Sequence, residues 1–248
     1  MLKAESLQTT GLILAGGRGT RLHPLTAETS KQLLPVGDKP LVLYAVENLL
    51  RAGIKDILLL IDDRHASQFM QLLHDGSHLG VRSLSYIWQP QEGKGLPSAI
   101  GRAENFVKDG KLVVVCGDVI AENGISTPVE SFRRQRSGAR LVGVEVPDTA
   151  GYSPLITRGG KVLNILPKDK GRHQAGLIDL GIYMYHPDVF GIIPELPVSP
   201  RGETEIWDLN RRYIEKGQLR YTVVDGWWSD VGGSIKNYFE AHERYATH

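Results

Sequence analysis

The sequence predicts an α/β fold, with a parallel sheet covered on both faces in its first half and a strand-rich second half. Three observations carry this. Unbroken apolar runs stand at Leu12–Ala15, Ile57–Ile61 and Val113–Cys116, stretches of helical spacing separate them, and strands crowd together after Ala139. An unbroken apolar strand is one buried on both faces, the arrangement that βαβ connections produce.

Taken in order, Leu12–Ala15 is a short strand that runs into a polar loop. Leu41–Ala52 sets Leu41, Tyr44, Ala45, Val46, Leu49 and Leu50 at helical spacing and is stopped by Gly53. Ile57–Ile61 reads as a strand, His65–Leu73 as a helix, Leu84–Trp88 as a strand, Pro97–Val107 as a helix and Leu112–Cys116 as a strand. In the second half Leu141–Val146, Ser153–Arg158, Lys161–Ile165 and Ile178–Tyr185 read as strands, the middle two flanking a Gly159–Gly160 turn. Helices Glu205–Lys216 and Ser234–Tyr245 lie around a last strand, Tyr221–Val224. No Pro/Ser-rich linker interrupts the chain, so residues 1–248 are expected to form one domain whose parts meet near residue 138.

Composition excludes several classes. Lys plus Arg total 29 against 28 Asp plus Glu, so the chain lacks the cationic footprint of a nucleic-acid binder. An anionic ligand must therefore be held by local groups. Cys116 is the only cysteine, which removes an intrachain disulfide and a cysteine-based zinc site; inside its apolar run it reads as a buried structural thiol. Residues 1–10 carry no apolar signal-peptide core, and no window is long enough to span a membrane, so a cytoplasmic enzyme is expected.

The first strand leads into Gly16-Gly17-Arg18-Gly19-Thr20-Arg21. Glycines directly after a strand let the backbone approach a phosphate and aim N–H groups at it, at the sheet end where α/β proteins bind ligands. A merely tight turn would look the same. The loop lacks the Gly-Lys-Ser/Thr ending of a Walker A loop, and Leu22 stands where a dinucleotide fingerprint has its third glycine, which argues against a nicotinamide enzyme. Arg21 and Lys31 supply two cations close by, suited to a triphosphate. Asp118 and Asp230 follow strands and are hard oxygen donors fit for magnesium; each alone could equally be a loop or cap aspartate.

The run from Leu14 to Thr26, followed by Ser30-Lys31-Gln32-Leu33-Leu34-Pro35-Val36, resembles the signature of sugar-1-phosphate nucleotidyltransferases, nearest the glucose-1-phosphate thymidylyltransferase branch. The resemblance continues through Gly117-Asp118, Ser199–Glu203 and Gly226–Asp230. It implies a Rossmann-like three-layer fold with a mixed, mostly parallel central sheet. A nucleotide-binding part would occupy about 11–138 and a β-rich acceptor-binding part about 139–248. It implies that Leu14, Ala15, Gly16, Gly17, Gly19, Thr20, Gln89 and Gly95 hold the nucleotide. Arg21, Lys31 and Lys168 would act on the reacting phosphates, and Asp118 and Asp230 would hold Mg²⁺. Gly117, Ser153, Lys168 and Leu180 would face the acceptor. Partners would be a pyrimidine nucleoside triphosphate and a phosphorylated acceptor, with neither nucleic acid nor membrane involved, in a homo-oligomer.

The acceptor side departs from the family pattern. Tyr152-Ser153-Pro154 stands for Tyr-Gly-Val, and Leu166-Pro167-Lys168-Asp169 for Glu-Glu-Lys-Pro. Leu180-Gly181 replaces Thr-Gly, and Val119 replaces an asparagine. Near the base, Pro97-Ser98 is unusual and the loop Pro90–Lys94 looks one residue longer. Retained phosphate chemistry with altered sugar contacts is the pattern of a changed acceptor, with neutral drift in a glucose-1-phosphate enzyme as the alternative. A non-catalytic nucleotide-binding homologue is the competing class, opposed by the intact Arg21, Lys31, Asp118, Lys168 and Asp230.

Overall fold

The computed structural model describes residues 8–89 and 95–246. The N-terminal residues 1–7 and the loop Pro90–Lys94 lie outside the described residues. The chain opens with β1 (Thr9–Ala15), and two 3-10 turns, Thr20–Leu22 and Lys31–Leu33, shape the polar loop after it. The short strands β2 (Pro35–Val36) and β3 (Lys39–Pro40) lead into α1 (Leu41–Arg51). The spacing-based helix is thus confirmed: Leu41, Tyr44, Ala45, Val46 and Leu49 are buried, and Gly53 at φ 72° closes the end.

β4 (Asp56–Ile61), α2 (Ala66–Leu73) and β5 (Ser83–Trp88) fall where the apolar pattern puts them. The helix expected over Pro97–Val107 is two pieces, α3 (Leu96–Gly101) and α4 (Glu104–Val107). Bonds from Arg102 N–H to Ala99 O and from Ala103 N–H to Ile100 O tighten the chain just after Gly101, a poor helix residue. Then come β6 (Lys111–Cys116), β7 (Val119–Ala121), α5 (Ser126–Arg134) and β8 (Ala139–Val146). β9 (Leu155–Arg158) and β10 (Lys161–Ile165) form a hairpin across Gly159 and Gly160, whose φ values of 57° and 72° explain the glycines. β11 (Gly176–Tyr185), α6 (Val189–Ile192), α7 (Ile206–Glu215), β12 (Leu219–Val223), β13 (Trp228–Asp230) and α8 (Ile235–Tyr245) complete the chain.

The structure divides into two compact units. One, the loop unit, gathers the described residues of Gly11–Gln91, Val114–Ser126 and Gly226–His248. Its strands run β5-β4-β1-β6, with β1 parallel to β4 and β4 parallel to β5. Leu12, Ile13, Leu59, Leu60 and Ile61 are fully buried, as a two-faced sheet requires. A second ribbon pairs β13 with β7 antiparallel, Asp230 opposite Val119.

The other, strand-rich unit gathers the described residues of Met1–Thr10, Glu92–Val113 and Thr127–Asp225. β8 pairs antiparallel with β11 and parallel with β12; β10 pairs antiparallel with β12 and β9. α7 packs Tyr213 on Tyr185, ring centroids 5.8 Å apart, while the Tyr185 hydroxyl donates to Asn210 Oδ1 at 2.8 Å. The buried Lys111 ammonium donates to the carbonyls of Phe132, Arg133 and Gln135, capping the end of α5. The fold is therefore the expected mixed sheet flanked by helices.

Candidate functional site

The loop unit builds a compact polar corner at the end of β1. Gly19 takes φ +64°, and the Thr26 hydroxyl donates to its carbonyl at 2.9 Å, so the loop is folded back on itself. A Cβ on Gly16 would stand 2.0 Å from Gln89 Oε1, which places that amide against the loop backbone. A Cβ on Gly17 would stand 3.7 Å from Lys31 Nζ. The structure thus brings Gln89, Lys31 and the glycine loop together, and leaves Thr20 and Arg21 exposed in the turn that follows. Leu14 is half-buried and Ala15 buried at the end of β1. Gly117 donates its N–H to Leu14 O at 3.0 Å and lies against Gln32, so it belongs to the same corner.

Lys31 forms an ion pair with Asp118 Oδ2. Burial pulls the Lys31 ammonium towards neutrality, but the Asp118 and Asp230 carboxylates together outweigh it and raise its pKa above the ordinary value. Asp118 lies just past β6, and Val231 N–H donates to its carbonyl at 3.0 Å. Asp230 arrives from β13, not from the end of β12 as its place in the sequence suggests. Asn237 Nδ2 donates to the Asp230 carbonyl at 2.8 Å, and a Cβ on Gly233 would stand 2.9 Å from Asp230 Oδ2.

Packing explains why these groups stay in place. Leu22, next to Arg21, and Val231, next to Asp230, are both fully buried in one cluster with Val36, Leu41, Tyr44, Ile120 and Tyr238. Each buried aliphatic residue contributes about 1.5–3 kcal/mol, which fixes its polar neighbour at the rim. Hydroxyls of Tyr44 and Tyr238 donate to Val36 O and Pro35 O, holding β2 over that cluster. Cys116 is half-buried at the tip of β6 and not wholly enclosed, because that strand end opens toward the corner.

Two carboxylates beside an ammonium form a donor set that fits magnesium, which takes few protein oxygens and completes its shell with phosphates and waters. Among the described residues no group of three His, Cys, Asp or Glu gathers for a metal, so a protein-only cage does not form.

Of the residues expected to face the acceptor, Gly117 lies in the loop unit, while Ser153, Lys168 and Leu180 lie in the strand-rich unit in segments sewn to one another. Gly151 N–H donates to Asp169 O at 3.0 Å, Leu166 N–H to Pro154 O at 2.9 Å, and Pro154 bridges Ile178. Ser153, Lys168 and Leu180 thereby come from three adjoining segments. Lys168 is exposed and Ser153 half-buried. Leu180 is 3% exposed, so its side chain packs inward and only its backbone can meet a ligand. Gly95, at φ +110°, caps α3, and a Cβ there would stand 2.0 Å from Thr204 O.

Two residues escape the sequence reading. Gly232 is one: a Cβ there would stand 2.0 Å from Asp118 Oδ2 and 2.9 Å from Lys31 Nζ. Asp179 is the other. Its Oδ1 accepts from Gly181 N–H at 2.7 Å and its Oδ2 from the Tyr183 hydroxyl at 2.8 Å, at a slip in the β8–β11 register. Burial pushes the carboxyl up to about 6, although both donors and the charge of Lys168 pull it down. A lone acid between Ile178 and Leu180 in an apolar strand is the signal that could have found it.

A pH consequence follows. Below pH 4 folded and unfolded chains both keep this proton; between 4 and 6 only the folded chain does, so stability falls as pH rises. Asp179→Asn is expected to remove about 2 kcal/mol of that fall after allowance for partial exposure. Urea midpoints for both proteins at pH 3.5 and 7.5 check it; parallel pH dependences would refute the assignment.

Comparison with known proteins shows the family. The nucleotidyl transferase family matches residues 10–248. A low-salt glycan biosynthesis nucleotidyltransferase of Haloferax volcanii is 39% identical over 90% of this chain, which spans 62% of that protein's length. A glucose-1-phosphate thymidylyltransferase of Actinoplanes is 35% identical over 90% of this chain and 73% of its own length. A candidate glucose-1-phosphate thymidylyltransferase from Bacillus anthracis, solved with sucrose, superposes with a TM-score of 0.89 at 35% identity, covering 97% of this chain and 96% of that one. With the glycine loop, Lys31 and both aspartates in one corner, the chain belongs to the nucleotidyl transferase family.

Proposed function

We propose that the protein transfers a nucleotidyl group from a pyrimidine nucleoside triphosphate to a sugar 1-phosphate, releasing pyrophosphate and forming a nucleotide sugar. The Lys31–Asp118 pair with Asp230, set beside the glycine loop, is the observation that carries this reading. An acceptor phosphate oxygen attacks the α-phosphorus in line, and the bond to the bridging oxygen breaks with its electrons leaving on pyrophosphate. The attacking group is already an anion, so no side chain need remove a proton. Catalysis is then positioning and charge neutralisation. Loop N–H groups cradle the phosphates, Arg21 and Lys31 stabilise the charge that builds on the leaving group, and Lys168 holds the acceptor phosphate. Asp118 and Asp230 would hold magnesium, which supplies further neutralisation of the phosphates. Gln89 and Gly95 would read the pyrimidine edge.

The thymidylyltransferase relatives make dTTP with glucose 1-phosphate the first pair to try. A second reading keeps the chemistry and changes the acceptor to a modified sugar, cyclitol or smaller phosphate or phosphonate. It is favoured by Asp179, a carboxylate near Lys168 in a region where the expected glutamates are missing. Pyrophosphate release is measured for dTTP, UTP and CTP, each with a panel of such acceptors. Fast turnover of glucose 1-phosphate with dTTP or UTP supports the first reading, fast turnover of another acceptor alone supports the second, and no release with any pair refutes both.

A further inference from the structure

Away from the residues assigned to the reaction, the strand-rich unit carries an unusual rung. The register pairs Arg158 with Lys161, Lys161 with Arg220, and Arg220 with Arg140, across β9, β10, β12 and β8. In-register partners point to the same side of a sheet, so four cations stand in a row. Neighbouring strands are about 4.8 Å apart, which gives the row a length of about 14 Å. Its Arg220 and Arg140 members lie on the face opposite α7, because Tyr213 packs on Tyr185, and Tyr185, Ala139 and Leu219 share a register level of the other parity.

Like charges directly opposite one another destabilise a sheet. The fold compensates them only in part: Lys161 Nζ stands 3.8 Å from where a Cβ on Gly217 would be, just past the C-terminal end of α7. Among the described residues no carboxylate forms a salt bridge with any of the four. Arg140 instead donates to Gln135 Oε1, Tyr221 O and the Thr222 hydroxyl. Arg220 Nη1 is buried with no hydrogen-bond partner. Burial, then the charges of Arg220 and Arg134, push the Arg140 guanidinium below its ordinary pKa. Exposure grades along the row: Arg158 and Lys161 face solvent, while Arg220 and Arg140 are half-buried. An anion entering at the exposed end meets the Arg220 guanidinium, whose Nη1 is unpartnered, before it reaches the hydrogen-bonded Arg140.

We propose that the Arg158–Lys161–Arg220–Arg140 rung binds a polyphosphate anion. Forked guanidiniums suit phosphate oxygens, a chain of phosphates can bridge several charges of the rung, and such a ligand would relieve their mutual repulsion. The anion could be free polyphosphate or the phosphate tail of a nucleotide; the two share this chemistry.

Calorimetric titration with inorganic tripolyphosphate tests it, using wild type, Arg158→Gln/Lys161→Gln and Arg220→Met. Expected is a binding event in wild type that weakens at least tenfold in both variants, while turnover without added polyphosphate stays within twofold. Without ligand, Arg220→Met should melt at the same temperature as wild type or higher, since it removes an unpaired buried cation. A second arm uses a non-hydrolysable nucleoside triphosphate: loss of one of two binding events in the variants assigns the rung to nucleotides, and an unchanged isotherm assigns it to free polyphosphate. Unchanged tripolyphosphate affinity in both variants would overturn the proposal, as would an Arg220→Met protein that melts several degrees lower.

Discussion

Lys31→Met is expected to lower kcat/KM for pyrophosphate release by about 10²–10³-fold, the cost of removing one charge-stabilising donor from a preorganised site. The side chain does two separable things. It neutralises Asp118 and Asp230, both of which act on its charge, and it stands beside Gly17 where triphosphate oxygens would lie. The first duty is structural: Lys31 and Asp118 side chains are only 18% and 11% exposed. Breaking such a pair from one side leaves an uncompensated charge and costs about 3 kcal/mol. The second is catalytic in the proposed mechanism. A double-mutant cycle with Asp118→Asn separates them, since the neutral pair should recover most of the stability and none of the rate. Urea midpoints and initial rates on the four proteins give both readouts. A single Lys31→Met variant within fivefold of wild type in kcat/KM would remove Lys31 from the chemistry.

Where local pattern decides conformation, the sequence was readable. β1 and β4 announce themselves as unbroken apolar runs, α1 by its 3.6-residue spacing and its glycine stop, and the β9–β10 hairpin by Gly159–Gly160. The glycine loop and its lysine were legible because chemistry and spacing coincide there. Illegible features depend on contacts between distant residues. β13 is three residues long and includes Trp228 and Asp230, with no period to read, yet its pairing with β7 is what sets Asp230 opposite Val119. The split of Pro97–Val107 was hidden because apolar spacing continues past Gly101. Asp179 interrupts an apolar strand, and only the fold shows the donors that surround it.

Gly232→Ala is expected to cost nearly as much as losing Lys31, although it removes no functional group. The added methyl would sit 2.0 Å from Asp118 Oδ2, 2.9 Å from Asp118 Cγ and 2.9 Å from Lys31 Nζ. Neither partner can simply swing aside, because each is held by the other and Gly232 itself is buried between them. Overpacking of this kind costs about 1–3 kcal/mol of stability. Displacing a catalytic group by about 1 Å costs about 10² in rate. The two effects are told apart by magnesium dependence: at saturating substrates the half-maximal magnesium concentration should rise about tenfold, because the shifted group is Asp118. Gly191→Ala is the control, since nothing lies within 4 Å of a Cβ there and the residue is in α6. A Gly232→Ala enzyme that has lost stability but keeps its magnesium dependence and its rate would mean that the glycine serves packing alone, and that Asp118 does not reach the metal from this corner.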